Sequence, residues 1–378
     1  MHIVSRISLP PPTPHCHAFA RRPPPTRCTR APHRSPAAMS QNTVVSIGEI
    51  LYDVLADQRG VPKEEVTSWV PYPGGAPANV VTCTSRLGVR SVLLGMLGTD
   101  QLGDDFVNLL KERNVETKYL QRTPDHPTRD VLVTRTADGE RTFAGFGKAR
   151  SEEYADCFVD AEALPADEIK SASVVVSGTL GLAYPGSAAA IRRVVELARA
   201  GSATLILDVN WRPVFWEAQG EAVAKATILD FIAAADLLKV TEEEAEWLWG
   251  IPGTRALEHP EEVLAKLPGA RGVLVSAGEH GSSYAFSSPG GKMANTGIVP
   301  VLKIKVSDTT GAGDAFLGGF IYHMLASGGL PALLADPEKA RASVEFATAC
   351  GAFTCTQPGA IGGQPTLEQA KELLATKA

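Results

Sequence analysis

The chain has 378 residues, 44% of them hydrophobic and 21% charged, with a formal net charge of −6. That length suffices for a sizeable core in one large α/β domain, and no apolar run approaches the ~20 residues of a membrane-spanning helix. An acidic balance also argues against a nucleic-acid-binding surface.

The first 38 residues differ in kind. They hold Arg6, Arg21, Arg22, Arg27, Arg30 and Arg34, nine of the 27 prolines and no acid, the first acid of the chain being Glu49. An acid-free, Arg-bearing stretch without a long apolar run has the composition of an organelle transit peptide, with the chloroplast as first expectation and the mitochondrion as second. The alternatives are a disordered basic tail, or a true start at Met39 and a cytosolic protein. Loss of residues 1–38 removes six Arg and no acid, so the formal charge becomes −12. Cys16 and Cys28 lie in this leader, while Cys83, Cys157, Cys350 and Cys355 are scattered without a C-x-x-C pair, which indicates neither a zinc site nor a disulfide framework.

From about residue 43 to 375, short β-type runs alternate with helix-type stretches. The runs at 44–47, 91–94, 174–177, 204–208, 237–240 and 272–276 are β-branched or Leu-rich, and several end in Gly or a polar residue. Segments rich in Ala, Glu, Leu and Arg lie between them at 187–200, 222–235 and 242–249. The alternation predicts parallel strands joined by crossover helices, a doubly wound sheet, in which ligands bind beyond the carboxyl ends of the strands. Residues 128–147 break the pattern, because two short β-type runs flank Asp138-Gly139 and read as a hairpin.

The polar residues after each run are therefore the candidates. Gly48-Glu49-Ile50-Leu51-Tyr52-Asp53 follows the first, and Asp53 offers several carboxylate lone pairs to vicinal hydroxyls unless it is a plain surface acid. In Pro73-Gly74-Gly75-Ala76-Pro77-Ala78-Asn79 the glycines allow backbone to approach a ligand and Asn79 brings a donor and an acceptor; the bland reading is a loop. Asp208-Val209-Asn210-Trp211-Arg212 ends in an Arg suited to orienting a substrate or phosphate, or to pairing with a structural carboxylate. Thr241 with Glu244 three residues later is a capping box. Ser276-Ala277-Gly278-Glu279-His280-Gly281 is a glycine turn of low specificity. Neither G-x-G-x-x-G nor G-x-x-x-x-G-K-[ST] occurs, so neither a dinucleotide enzyme nor a P-loop kinase is supported.

The densest motif is Val306-Ser307-Asp308-Thr309-Thr310-Gly311-Ala312-Gly313-Asp314-Ala315-Phe316. If a helix opens at its small residues, the unpaired N–H groups and the helix dipole make an anion site. Asp314 then falls in the first turn, about where a hydroxyl attacking a phosphoryl group must lose its proton, the place of a general base. The alternative is that Asp308 or Asp314 caps the helix and the glycines serve packing.

This segment resembles the C-terminal D-T-x-G-A-G-D motif of the ribokinase/PfkB carbohydrate kinase family. Gly74 to Asn79 resembles the family's di-glycine motif, in the form with Pro that is most similar to fructokinases. The two occur in order, and the resemblance runs from about residue 44 to the C-terminus. It implies a ribokinase-like fold, a doubly wound, mainly parallel sheet with helices on both faces. It also implies a small β lid from about 51–72 and 128–147, without helical elements. The implied activity is ATP-dependent phosphorylation of a primary hydroxyl of a sugar, with Asp314 as base and Gly311, Ala312 and Gly313 around the transferring phosphoryl. Asp53, Gly74, Gly75, Asn79 and Arg212 are implied on the sugar side, and Lys239, Thr241, Ser276, Gly278, Gly281 and Thr348 on the ATP side.

Lys239 to Glu244 is similar to the family's N-x-x-E segment, with Thr241 in place of Asn, which implies that Glu244 holds Mg²⁺ through water. One such carboxylate suffices, because Mg²⁺ keeps several waters. Asp308 with backbone carbonyls of Thr310, Thr354, Gln357 and Gly359 is implied to hold a monovalent cation, K⁺ first, although Gly363 stands where some relatives offer a side-chain oxygen. Pairing of relatives through their lids implies a homodimer. The forms of the two N-terminal motifs favour fructose as acceptor. Phe143 to Asp156 departs from the aromatic–aromatic–Arg stretch of typical fructokinases, which leaves another ketose, a ketoacid sugar or a nucleoside open. A non-catalytic, fructokinase-like plastid scaffold is the alternative of another class, and the presence of Asp314 with its glycines favours the enzyme.

Overall fold

The computed structural model describes residues 42–137, 141–288 and 293–376. The leader at 1–38 and the turn at Asp138-Gly139 lie outside the described residues. A nine-stranded sheet runs from one edge to the other as Met293–Val299, Ser282–Ser287, Gly272–Ser276, Leu237–Thr241, Thr204–Asp208, Val174–Ser177, Thr43–Ile47, Arg90–Leu94 and Val115–Glu116. All neighbours pair in parallel from Val115–Glu116 as far as Gly272–Ser276, and the remaining two strands add antiparallel at the edge. Val44, Val45, Val174, Val175, Leu205, Ile206, Leu237 and Leu238 are fully buried. Such continuous apolar runs are what strands covered by helices on both faces require.

The expected doubly wound fold is thus present, and the six strands read from sequence lie within one residue of those observed. Chain order reverses at Thr43–Ile47, which has Arg90–Leu94 on one side and Val174–Ser177 on the other. A crevice opens at the carboxyl ends there, as such switch points dictate. A second sheet, in the order Trp69–Gly74, Leu51–Ala56, Arg129–Arg135 and Arg141–Phe146, forms the lid. The expectation of a lid free of helical elements is corrected at one place. Lys63–Glu65 form a 3-10 turn, begun by Pro62 with its φ fixed near the helical value, in the connection between two lid strands. No helix among the described residues is long and apolar enough to cross a membrane.

Two packing features hold the site in place. The helix Ala312–Ala326 is buried on almost every face, and its Gly318 and Gly319 face Cys83 and Cys350 so closely that a Cβ would lie 2.8 Å and 2.7 Å from the respective sulfurs. Its neighbours Ala76–Arg86 and Pro337–Thr354 therefore come within backbone reach. In the lid, Arg129 is 1% exposed and donates from Nε and Nη2 to both oxygens of Asp156 at 2.8 to 3.1 Å. Rings of Phe146, Tyr154, Tyr184 and Phe215 surround its guanidinium at 4.8 to 5.5 Å. This caged pair joins a lid strand to the main body. Arg129→Met leaves Asp156 buried without its counter-charge and is expected to cost about 3–5 kcal/mol, read as a lower urea midpoint; an unchanged midpoint would mean that Asp156 finds water or another donor.

Candidate active site

The turn before the helix Ala312–Ala326 depends on Gly311. Its φ is +74° and a Cβ there would sit 2.5 Å from that of Ala360, so only glycine closes the turn. The first helical turn leaves the N–H groups of Gly313 and Asp314 without helical acceptors, facing a cavity that Gly311, Ala312, Gly313 and Asp314 all line. Asn79, one turn into the helix Ala76–Arg86, donates from Nδ2 to Asp314 Oδ2 at 2.7 Å across 235 residues of sequence. Burial is the largest influence on Asp314 and Asp208 adds to it; Lys239 and Asn79 offset them in part, and the carboxyl stays above its usual range.

The sugar-side candidates gather at the mouth of the lid. Asp53, Gly75, Asn79 and Arg212 line the cavity, while Gly74 stands behind the wall, 3.5 Å from Asp53 Oδ2 by its would-be Cβ. Gly75 has φ +98° and a Cβ would meet the Glu49 carbonyl at 2.5 Å, which fixes glycine there. The Asp53 carboxylate has no hydrogen-bond partner among the described residues. Burial raises its pKa to about 6, against the pull of Arg141 and Arg212. Arg212 Nη1 donates to the Trp211 carbonyl at 2.7 Å.

Beneath the glycine turn lies a cluster of acids around one ammonium. Lys239 Nζ donates to both oxygens of Asp208 at 2.9 Å, and Lys239 is only 5% exposed. Burial works against its charge, but Asp208, Glu244 and Asp314 more than compensate and hold it protonated. Lys239 thus lines the cavity with its ammonium paired to Asp208. Glu244 does cap its helix: Oε2 accepts from Thr241 N at 2.8 Å, Oε1 accepts from Trp211 N at 2.6 Å, and Thr241 Oγ1 accepts from Glu244 N at 3.1 Å. Glu244 also lines the cavity, with burial raising its pKa against the opposing charge of Lys239. Three carboxylates, Asp208, Glu244 and Asp314, share one buried ammonium. Of the three, Glu244 and Asp314 line the cavity, while Asp208 lies behind its wall.

The remaining candidates divide into two groups. Ser276, Gly278, Gly281, Thr241 and Thr348 line the far end of the cavity, where Ser282 Oγ and Thr348 Oγ1 lie 3.4 Å apart. Of the residues expected around a monovalent cation, only Thr310 reaches the cavity wall. Asp308, Thr310, Thr354, Gln357 and Gly359 do come together, but Asp308 is fully engaged. Oδ1 accepts from Thr310 N at 3.0 Å and Thr310 Oγ1 at 2.7 Å; Oδ2 accepts from Gly359 N at 2.8 Å and Arg141 Nη2 at 2.6 Å.

The cavity measures about 1180 Å³, room for two substrates side by side. A family model described as pfkB family carbohydrate kinase matches residues 41–367. The chain belongs to the pfkB family of carbohydrate kinases. It is 34% identical to fructokinase-1 of Zea mays over 339 residues, which span 89% of this chain and 99% of that one. A fructokinase from Xylella fastidiosa, solved with bound ATP, superposes with a TM-score of 0.77 at 26% identity over 89% of this chain and 99% of its own. A double mutant of the Vibrio cholerae O395 fructokinase in its fructose-, ADP- and potassium-bound form gives 0.72 at 25% identity over 90% and 100%.

Two cavity residues, Glu49 and Arg141, and the buried Asp208 that pairs with Lys239 beneath the cavity were not singled out from sequence. Glu49 and Arg141 sit inside stretches read for Asp53 and for the hairpin, and Asp208 opens the segment read for Arg212, so their signal was position after a strand or in the lid. Glu49 Oε1 accepts from Ala76 N at 3.1 Å, and Oε2 is buried without a partner. Burial is the main reason that its pKa rises to about 8. A folded carboxyl that binds its proton above its unfolded value of 4.5 makes stability fall as pH rises from there to about 8. Glu49→Gln, which keeps the acceptor for Ala76, should therefore stabilise the protein more at pH 8 than at pH 5 in thermal melts. Equal differences at both pH values would show Glu49 to be ionised or hydrated.

Proposed function

We propose that this kinase transfers the γ-phosphoryl group of ATP to the primary hydroxyl of D-fructose, giving fructose 6-phosphate and ADP. The observation that carries the reading is the placement of Asp314. A half-buried carboxylate, oriented by Asn79, stands at the opening of the Gly311–Ala312–Gly313 turn, in the same cavity as the unpartnered carboxylate of Asp53.

Asp53 accepts hydrogen bonds from sugar hydroxyls and sets the sugar's orientation. The Asp314 carboxylate takes the proton of the attacking hydroxyl as its oxygen bonds to the γ-phosphorus and the bond to the β-phosphate oxygen breaks, releasing ADP. The N–H groups at the start of the helix Ala312–Ala326 donate to the oxygens of the phosphoryl group in flight, where they are oriented in advance. Magnesium, when bound, supplies charge neutralisation of the nucleotide phosphates, and Glu244 would accept from its waters. The lid, with Leu51, Val131, Val133 and Phe143 in the cavity wall, excludes water that would otherwise hydrolyse ATP. The adenine end lies along Ser276, Gly278, Gly281 and Thr348. The likeness to fructokinases over most of the chain supports fructose as the acceptor.

Protein lacking residues 1–38 is expected to turn over ATP with fructose, and less with ribose, glucose, ketodeoxygluconate or adenosine. Asp314→Asn should lower kcat by about 10²- to 10⁴-fold, the range for a lost general base, with fructose binding retained. Preference for another acceptor would replace fructose, and ligand binding without turnover on any acceptor would indicate a non-catalytic role. Because its carboxyl is raised, the acid limb of the kcat profile should lie above the usual carboxylate range; a limb at the ordinary value would assign the base elsewhere.

A further inference from the structure

The carboxylate of Asp308 offers roughly four lone-pair sites, and four donors already occupy them. Two come from Thr310, one is Gly359 N and the fourth is Arg141 Nη2. The first three are local to the loops on either side of the carboxylate. The fourth arrives from the lid strand Arg141–Phe146, across 167 residues of sequence. Asp308 is the more sheltered partner, its side chain being 10% exposed against 30% for Arg141. Burial would push the Asp308 carboxyl up, yet the hydrogen bonds from Gly359 and Thr310 and the charge of Arg141 bring it below its ordinary value.

A monovalent cation at this place would need an Asp308 oxygen and would stand next to a guanidinium. Both conditions oppose it, since the oxygens are saturated and like charges at such range repel. The surrounding carbonyls are partly engaged too, as Thr354 O accepts from Gln357 N and Gly359 O from Gly363 N. Gly363 adds no side-chain oxygen. The residues present do not fit the cation that the family resemblance implies.

We propose that Arg141 takes the place of a monovalent cation as the counter-charge of Asp308, so that the enzyme works without K⁺. Because Arg141 sits on the lid, the charge reaches the loop before the helix Ala312–Ala326 together with the closed lid. Asp308 and Gly311 are three residues apart, and neutralising Asp308 keeps a negative charge from opposing the phosphoryl group that the turn is proposed to bind. Arg141 is on this view a positioning residue that acts through Asp308 and the turn. The inference rests on the kinase reading for its turnover arm only.

The test compares wild type with Arg141→Met at ionic strength held constant, K⁺ being exchanged for tetramethylammonium, which is too large for a carbonyl cage. Thermal melts of the ligand-free proteins are run in parallel, since a bound ion raises the melting temperature whether or not any sugar is phosphorylated. Wild-type turnover and melting are expected to be the same in both salts. Arg141→Met is expected to gain a several-fold activation by K⁺ and a higher melting temperature in K⁺ than in tetramethylammonium. Several-fold activation or K⁺-specific stabilisation of wild type overturns the proposal, as does a folded Arg141→Met protein that melts identically in both salts. Should no acceptor be phosphorylated, the kinase reading fails while the melts still decide the cation question.

Discussion

The site depends on how closely the helix Ala312–Ala326 can approach its two neighbours. Gly318 and Gly319 remove the side chains that would hold Ala76–Arg86 and Pro337–Thr354 at ordinary helix spacing. The start of one helix is thereby brought beside the first turn of another, and Asn79 and Asp314 meet at 2.7 Å. Gln364 reinforces the junction by donating from Nε2 to the Asn79 carbonyl at 2.7 Å. Larger residues at 318 or 319 would have to displace a helix, because close-packed interiors have no slack to absorb a methyl group against sulfur.

Electrostatics then follow from burial. Glu49, Asp208, Glu244 and Asp314 stand in or beside one cavity, with Lys239 as the buried cation of the last three. Taking so many carboxylates from water is costly, and the protein offsets the cost in different ways. Asp208 is paired, Glu244 accepts two backbone N–H groups, and Glu49 has its pKa raised to about 8. A surplus of buried acid with little cationic compensation is stable only if some of the groups hold protons.

The lid is held by charge at two places of opposite character. At its inner end Arg129 and Asp156 are sealed among aromatic rings, where their separation would be expensive. At its outer end Arg141 reaches Asp308 across the cavity mouth, where more solvent is present and exchange is cheaper. One end of the lid is therefore suited to act as a hinge and the other as a releasable contact.

The strands and the two glycine motifs were legible in the sequence because each rests on local physics. Buried parallel strands must be continuously apolar, Thr241 and Glu244 make a capping box from four residues alone, and Gly75 and Gly311 answer to backbone angles that other residues avoid. The short 3-10 turn at Lys63–Glu65 escaped because three residues carry no periodicity. The engagement of Lys239 with Asp208, the raised pKa of Glu49 and the saturation of Asp308 by Arg141 were not legible. Each depends on groups from separate strands or loops meeting within hydrogen-bond range, and on how much water is left around them. The chain by itself determined the family, the sheet and the identity of the proposed base; only tertiary packing decided which charges are paired and which face the cavity, because desolvation and through-space contact have no local signature in sequence.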